Sequence, residues 1–273
     1  MQAKLQTPCV LSLLIAMLAA VASAGGLFFP GLYRDNVLIT CAWRGNDLIT
    51  LAVAVPGLLV SMLFALRGSQ KALLVWAGML GYMVYNYIFY LYGAVFNVFF
   101  LLYVLLFTLS IYAIISVMIK LDVQAITNQF RGRTPVKWIG GFMVFFAVLL
   151  GAMWIAMSLS FVFTGVVPQP ILQTGHPTGV VFATDLSLLV SAMVIGGVLL
   201  WRRRSWGYSL AAIVLIKACT YGAAMITMSV FSYNEFGTVD PFIPLWIFLS
   251  VGCIVSCGFL LGNMRLASTR KEK

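Results

Sequence analysis

Eight long apolar runs separated by short polar connections account for most of this chain. Each run has about the 20 mostly apolar residues that cross the hydrocarbon core of a bilayer. The runs lack the apolar–polar alternation of barrel strands, and a backbone in lipid must satisfy its own polar groups, so they predict helices. The predicted spans are approximately residues 9–29, 48–66, 73–92, 98–119, 138–163, 180–201, 206–231 and 242–264.

Composition supports this membrane interpretation. The chain is 62% hydrophobic and 9% charged, with a mean hydropathy of +1.03, which lies outside the range of soluble domains. We therefore predict an all-α polytopic integral membrane protein with eight transmembrane helices. It forms a single membrane domain over residues 1–273, without a soluble domain.

The positive charges predict how the chain is oriented. Fourteen of the 17 Lys and Arg residues fall in segments that eight spans would place on one side of the membrane. By the positive-inside rule that side is the cytoplasm, so we expect both termini there. We expect the location to be the bacterial inner (plasma) membrane, with the lipid bilayer as the partner.

The net charge of +10 therefore does not indicate a nucleic-acid partner, because orienting the chain in the bilayer already accounts for the cations. The cations that set the orientation are Lys4, Arg67, Lys71, Lys120, Arg131, Arg133, Lys137, Arg202, Arg203, Arg204, Arg265, Arg270, Lys271 and Lys273.

The first run has a competing interpretation. Lys4, a short apolar core and the triplet Ala22-Ser23-Ala24 before Gly25 resemble a secretory signal with its cleavage site. Cleavage there would leave seven spans. Because apolar sequence continues to Phe29 and completes a full span, we favour a retained helix.

An internal duplication is a further expectation. Asn46-Asp47-Leu48 opens the second span, Thr184-Asp185-Leu186 lies in the sixth, and both spans end in a basic turn. Each is preceded by one span and followed by two more. A repeat of this kind would divide the chain into halves 1–130 and 131–273. Parallel repeats of this kind are related by an axis along the membrane normal, with polar sites between the halves.

Lys217 is the strongest candidate for a functional residue. It lies near the middle of the seventh span, and an ionisable residue at that depth is costly enough to indicate function. The alternative is a structural contact to backbone carbonyls or a neighbouring hydroxyl. Thr220 and Tyr221 follow it by three and four residues, so both could reach its ammonium group.

Two acidic residues have a structural alternative. Asp185 and Asp47 lie close to the predicted outer ends of their spans, where a carboxylate caps free N–H groups and complements the helix dipole. At about 1.5 Å per residue, Asp185 lies ~24 Å and Lys217 ~16 Å above the turn that joins their spans. Side chains lean toward their helix N-terminus, so a direct pair between them is disfavoured.

Span three adds polar side chains. Tyr82, Asn86 and Tyr90 recur every four residues and share one face, which could line a polar cavity. The alternatives are an interhelical hydrogen bond for Asn86 and an interfacial aromatic belt for the outermost tyrosines. The glycine pairs Gly140-Gly141 and Gly196-Gly197 predict close helix packing.

Several chemistries are excluded by the residues present. The chain has one His, and it has no Walker A, dinucleotide-binding, HExxH or GxSxG motif. Its five Cys form no disulfide framework, because four lie in or at the start of apolar runs. We therefore expect no cofactor and no catalytic or metal site, and we favour a protein that is not an enzyme.

The leading hypothesis is a protein that binds or transports a small solute or an ion. Its polar site would lie between the helices, and its candidate residues are Lys217, Asp185, Asp47, Asn86, Tyr82 and Tyr221. The competing hypothesis is a non-catalytic subunit that assembles or partners a membrane complex, because short loops without a soluble domain suit it equally well.

Overall fold

The computed structural model describes residues 5–265, and that range is helical and contains no strands. Eight of its helices are long and apolar enough to cross a membrane, which confirms the predicted class of all-α polytopic membrane protein. We number the helices α1 (Gln6–Phe28), α2 (Val37–Leu66), α3 (Gln70–Tyr92), α4 (Phe100–Ile119), α5 (Val123–Gln129), α6 (Val136–Thr164), α7 (Gln169–Thr174), α8 (Val180–Trp201), α9 (Ser205–Phe236) and α10 (Ile243–Gly262).

The largest departure from the predicted spans is at the start of α2. This helix begins at Val37 rather than near residue 48, because the side chain of Asn36 accepts a hydrogen bond from the Ile39 amide at 3.0 Å and caps it there. Helix α9 also runs further than expected. It ends at Phe236, where Gly237 adopts a left-handed conformation with φ of 66°.

Helices α3 and α9 form the centre of the bundle. Within their most apolar stretches, 78% of α3 and 56% of α9 is buried, against 28–39% for the six other long helices. The two are in contact, and a Cβ on Gly78 would lie 2.6 Å from the Ile216 side chain. The outer helices expose large apolar side chains such as Trp138 and Phe163, as expected for surfaces that face lipid.

Each group of four long helices is connected in the same order. In the first group α1 contacts α2 and α4, and α3 lies between α2 and α4. In the second, α6 contacts α8 and α10, and α9 lies between α8 and α10. The groups meet through extensive contact of α9 with α2 and α3, whereas α8 approaches α3 chiefly at its first residues, 180–184. The predicted repeat stays a prediction.

The two described ends of the chain lie at the same end of the bundle. Leu5, Gly68 and Lys120 surround a common hollow there. The amide of Arg131 also donates to the carbonyl of Asn263 at 3.1 Å. We call this the basic end, because the connections that carry most Lys and Arg residues lie there, and we call the opposite end the far end. The compartment that each end faces stays a prediction.

Close packing at the glycine pairs is confirmed in three of four positions. A Cβ on Gly140 would lie 2.7 Å from the Gly197 carbonyl oxygen, and Gly196 and Gly197 face similarly tight neighbours. The backbones of α6 and α8 therefore touch. The prediction is wrong for Gly141, because a Cβ there would meet no atom within 4 Å.

Candidate functional site

Asp185 lies inside α8, at the start of a π-helical turn that covers Asp185–Val190. Its carboxylate accepts hydrogen bonds from the Tyr85 hydroxyl and, at 2.8 Å, from the Trp154 indole nitrogen. The residue that precedes α8 is Gly179. The capping hypothesis for Asp185 is therefore wrong: its partners are side chains of α3 and α6. A π-helical turn is an irregularity that is frequent at functional sites.

Lys217 is buried in α9 and is 7% exposed. Its Nζ atom lies 3.0 Å from the centroid of the Tyr85 ring and 4.9 Å from that of Tyr221. Within the part of the chain that the structure describes, Nζ has no hydrogen-bond partner. Thr220 does not supply one: its hydroxyl donates to the Ile216 carbonyl at 3.0 Å and accepts no hydrogen bond from Nζ.

Tyr85 connects the cation to the acid. Its hydroxyl group binds Asp185, and its ring face is turned to the ammonium of Lys217. Lys217 thus contacts the ring face and Asp185 binds the hydroxyl group of the same side chain, and Lys217 makes no hydrogen bond to Asp185. Tyr221 packs edge-on against the same ring, with centroids 4.7 Å apart. The expectation that direct pairing is disfavoured agrees with this arrangement.

A cavity of about 120 Å³ lies beside these groups. It is enclosed by α3, α6, α8, α9 and α10, and its walls include Tyr85, Trp154, Asp185, Lys217, Tyr221 and Cys253. Most of the remaining lining is apolar. We call this the central cavity. A buried ammonium without an acceptor at the edge of a cavity is an arrangement that can hold an anionic group.

A larger cavity, which we call the vestibule, lies between α2, α9 and α10 at the far end. Its volume is about 700 Å³. Met225 and Trp246 line both the vestibule and the central cavity. The indole nitrogen of Trp246 donates to the Asp240 carboxylate at 3.3 Å. These two side chains therefore form the partition between the two spaces.

Asp47 forms a second buried cluster, in the first group of helices. Its carboxylate accepts hydrogen bonds from the hydroxyl groups of Tyr33 and, at 2.9 Å, Tyr90. Burial raises the pKa of Tyr33 well above its ordinary value, and the carboxylate raises it further, so the phenol keeps its proton and donates. The capping hypothesis for Asp47 is wrong as well, because α2 begins ten residues earlier, at Val37.

Tyr82 and Asn86 face α2 rather than Lys217. The hydroxyl groups of Tyr82 and Thr50 lie 2.8 Å apart, and the Asn86 amide donates to Thr50 at 3.3 Å. Thr50 begins a π-helical turn, Thr50–Ala54. The predicted residues thus separate into two sets. Lys217, Asp185 and Tyr221 line the central cavity, whereas Asp47, Tyr82 and Asn86 lie along the contact of α3 with α2.

Tyr85 and Trp154 were not among the predicted site residues. Trp154 is buried in α6, and a buried indole N–H usually finds an acceptor, which here is Asp185. Its position far from both ends of a long apolar run was the signal in the sequence. Comparison with protein-family models, curated proteins and solved structures finds no match to this chain.

Proposed function

We propose that this membrane protein binds a small solute or ion in the central cavity and transports it across the bilayer, with Lys217 as the counter-charge for an anion. The observation that carries the proposal is the buried Nζ atom of Lys217, which has no hydrogen-bond acceptor among the described residues and lies at the cavity edge. An ionisable group at membrane depth indicates function by default.

The energetics of burying Lys217 favour the binding of an anion beside it. Removing an ammonium group from water costs several kcal/mol even after the protein relaxes. A desolvated cation–π contact, such as that of Lys217 with the Tyr85 ring, returns roughly 2 kcal/mol. The ring therefore offsets part of the cost, and an anion in the cavity would supply the charge-assisted hydrogen bonds that Nζ lacks.

The size of the central cavity supports a small ligand. Pockets that bind drug-sized molecules have volumes of roughly 300–1,000 Å³, and the central cavity has about 120 Å³. A carboxylate or an inorganic anion fits this space better than a larger polar metabolite.

The vestibule supports a route to the site. With the basic end in the cytoplasm, as the distribution of positive charge predicts, the vestibule opens to the outer side of a bacterial inner membrane. Movement of Met225 and Trp246 would then connect it to Lys217. Transport also fits the proposed repeat halves 1–130 and 131–273, because repeat-built transporters bind substrate between their halves.

The test is anion binding and uptake by the purified protein in proteoliposomes, with radiolabelled acetate and phosphate as probes. We expect Lys217→Met to lower binding and uptake by at least about tenfold, equivalent to ~1.4 kcal/mol. Lys137→Met is the matched control, because Lys137 is exposed at the basic end. Unchanged binding and uptake in both Lys217→Met and Asp185→Asn would show that this site is wrong.

The same preparation tests the competing hypothesis. Native mass spectrometry would detect a retained ligand or a retained protein. A partner that stays bound, together with an absence of anion binding at every concentration tested, would identify a subunit of a membrane complex and refute transport.

A further inference from the structure

A third cavity reaches Lys217 from the side of the bundle. It has a volume of about 340 Å³ and is formed by α3, α4, α8 and α9. We call it the lateral groove. Its polar lining residues are Tyr85 and Lys217, and its other walls are apolar, with Ile111, Ile114 and Leu188 among them.

The lateral groove results from a difference between the two contacts that connect the groups of helices, one extensive and one short. Helix α9 packs along α2, whereas α8 meets α3 chiefly at residues 180–184. Toward the basic end from Asp185, α8 turns to α6 and α9 instead, and the space between α8 and the α3–α4 pair is left open. Leu188, at the rim of this space, is 41% exposed, so the groove opens on the surface that faces lipid.

Lys217 lies at the junction of the groove with the central cavity. Lys217, Tyr85 and Leu189 line both spaces. A ligand that enters from the bilayer therefore meets an apolar channel first and a buried cation at its inner end. Asp185 lines the central cavity but not the groove, and its carboxylate is bound by Tyr85 and Trp154.

From this geometry we infer that the ligand of Lys217 is an anionic amphiphile, a single apolar chain that ends in a small carboxylate or phosphate head. The chain lies in the lateral groove, and the head lies in the central cavity against Nζ. This inference rests on the proposed function and names its substrate class. The groove volume falls within the range of pockets that hold drug-sized molecules, whereas the central cavity holds only a small group.

The experiment uses the full chain in phosphatidylcholine nanodiscs and a photoreactive diazirine analogue of palmitate. Labelled peptides are identified by mass spectrometry. We expect labelling of α4 and α8 residues at the groove that unlabelled palmitate competes away. Methyl palmitate has the same chain without the charge, and we expect it to compete at least about tenfold more weakly. Hexadecyl phosphate, compared with palmitate, identifies the preferred head.

Two glycines provide matched variants. A Cβ on Gly81 would lie 3.6 Å from Ile114 and 3.9 Å from Lys217, so Gly81→Leu extends into the groove. Gly141→Leu adds the same side chain at a position where a Cβ would meet no atom within 4 Å. We expect Gly81→Leu and Lys217→Met to lose the competable labelling, and Gly141→Leu to keep it. Folding of each variant is checked by gel filtration and circular dichroism.

The outcomes separate this inference from the proposed function. Acetate binding that depends on Lys217, without competable palmitate labelling, would overturn the amphiphile and leave the anion site in place. Equal competition by palmitate and methyl palmitate, or by a two-chain phosphatidylglycerol, would overturn it as well, because the groove would then hold ordinary lipid. Loss of Lys217 dependence for both acetate and palmitate would refute both proposals.

Discussion

Tyr85 makes two contacts that mutation can separate. Its hydroxyl group binds the Asp185 carboxylate, and its ring face lies against the ammonium of Lys217. Tyr85→Phe removes the first contact and keeps the second, whereas Tyr85→Leu removes both. Combining each change with Asp185→Asn or Lys217→Met gives double-mutant cycles, which report the coupling between two side chains rather than the total cost of a substitution.

The contacts of Tyr85 determine the coupling free energies that we expect from these cycles. A hydrogen bond to an ionised group contributes roughly 1.5–3 kcal/mol to stability in soluble proteins. The coupling energies measured for interhelical hydrogen bonds inside membrane proteins are smaller, about 0.6 kcal/mol on average and up to about 1.7 kcal/mol. Tyr85 and Asp185 are both buried, and Asp185 keeps Trp154 as a second donor. We therefore expect Tyr85→Phe to couple to Asp185→Asn by about 1–1.7 kcal/mol. It should couple to Lys217→Met by less than about 0.5 kcal/mol, because the ring remains.

The contrasting cycle tests the ring contact. Tyr85→Leu should couple to Lys217→Met by about 1–2 kcal/mol, since a desolvated cation–π contact is worth roughly 2 kcal/mol. The measurement is reversible unfolding of the purified protein in mixed micelles, with the free energy of unfolding taken at a common detergent composition. If Tyr85→Phe couples to Lys217→Met as strongly as to Asp185→Asn, the separation of roles at this ring is refuted.

Three further predictions address packing, access and pH. Gly140→Ala should lower the stability by about 1–3 kcal/mol, because its Cβ would collide with the Gly197 carbonyl oxygen of α8. Gly141→Ala should lower it by less than about 0.5 kcal/mol, and thermal unfolding of both variants tests the difference. The access test uses a variant in which Cys253 is the sole cysteine. There, Trp246→Ala should increase the rate at which a water-soluble methanethiosulfonate modifies the Cys253 thiol at least about tenfold. An unchanged rate would show that Trp246 does not separate the vestibule from the central cavity. Burial lowers the pKa of His176, although the nearby Asp35 carboxylate acts in the opposite direction. The stability that the neutral imidazole contributes is therefore present above the unfolded pKa of about 6.5 and is lost as the pH falls below that value. The decrease in Tm between pH 7.5 and 5.5 should be smaller in His176→Gln.

The spans were predictable because their signal is local. A run of about 20 apolar residues is set by the thickness of the bilayer and does not depend on which helices it contacts. The beginning of α2 was not predictable in this way. Its part nearest the far end carries Trp43, Asn46 and Asp47, which are buried by α1, α3 and α9 rather than by lipid. Polar residues that other helices cover resemble a loop in the sequence.

The site was predictable where one residue stood out by charge. Lys217 is the single Lys or Arg within an apolar run, so its sequence position alone marked it. Tyr85 was missed because α3 lies at the centre of the bundle and is buried on more than one side. Tyr82 and Asn86 share a face that contacts α2, whereas Tyr85 lies about 100° from Asn86 around the helix and contacts α8 and α9. Periodicity identifies faces, but it cannot assign their partners.

The two buried carboxylates differ in what surrounds them, and this difference is the reason that we propose a ligand site beside Asp185 and not beside Asp47. Asp47 and Asp185 occupy corresponding places in the proposed repeat, and each accepts hydrogen bonds from two aromatic side chains. Around Asp47 the packing is tight, because a Cβ on Gly26 would collide with the carboxylate itself. Asp185 instead borders the central cavity, and the Tyr85 side chain that binds it also contacts Lys217. Asp47 therefore lies in tightly packed surroundings, whereas the space that we propose for a ligand lies where α8 separates from α3.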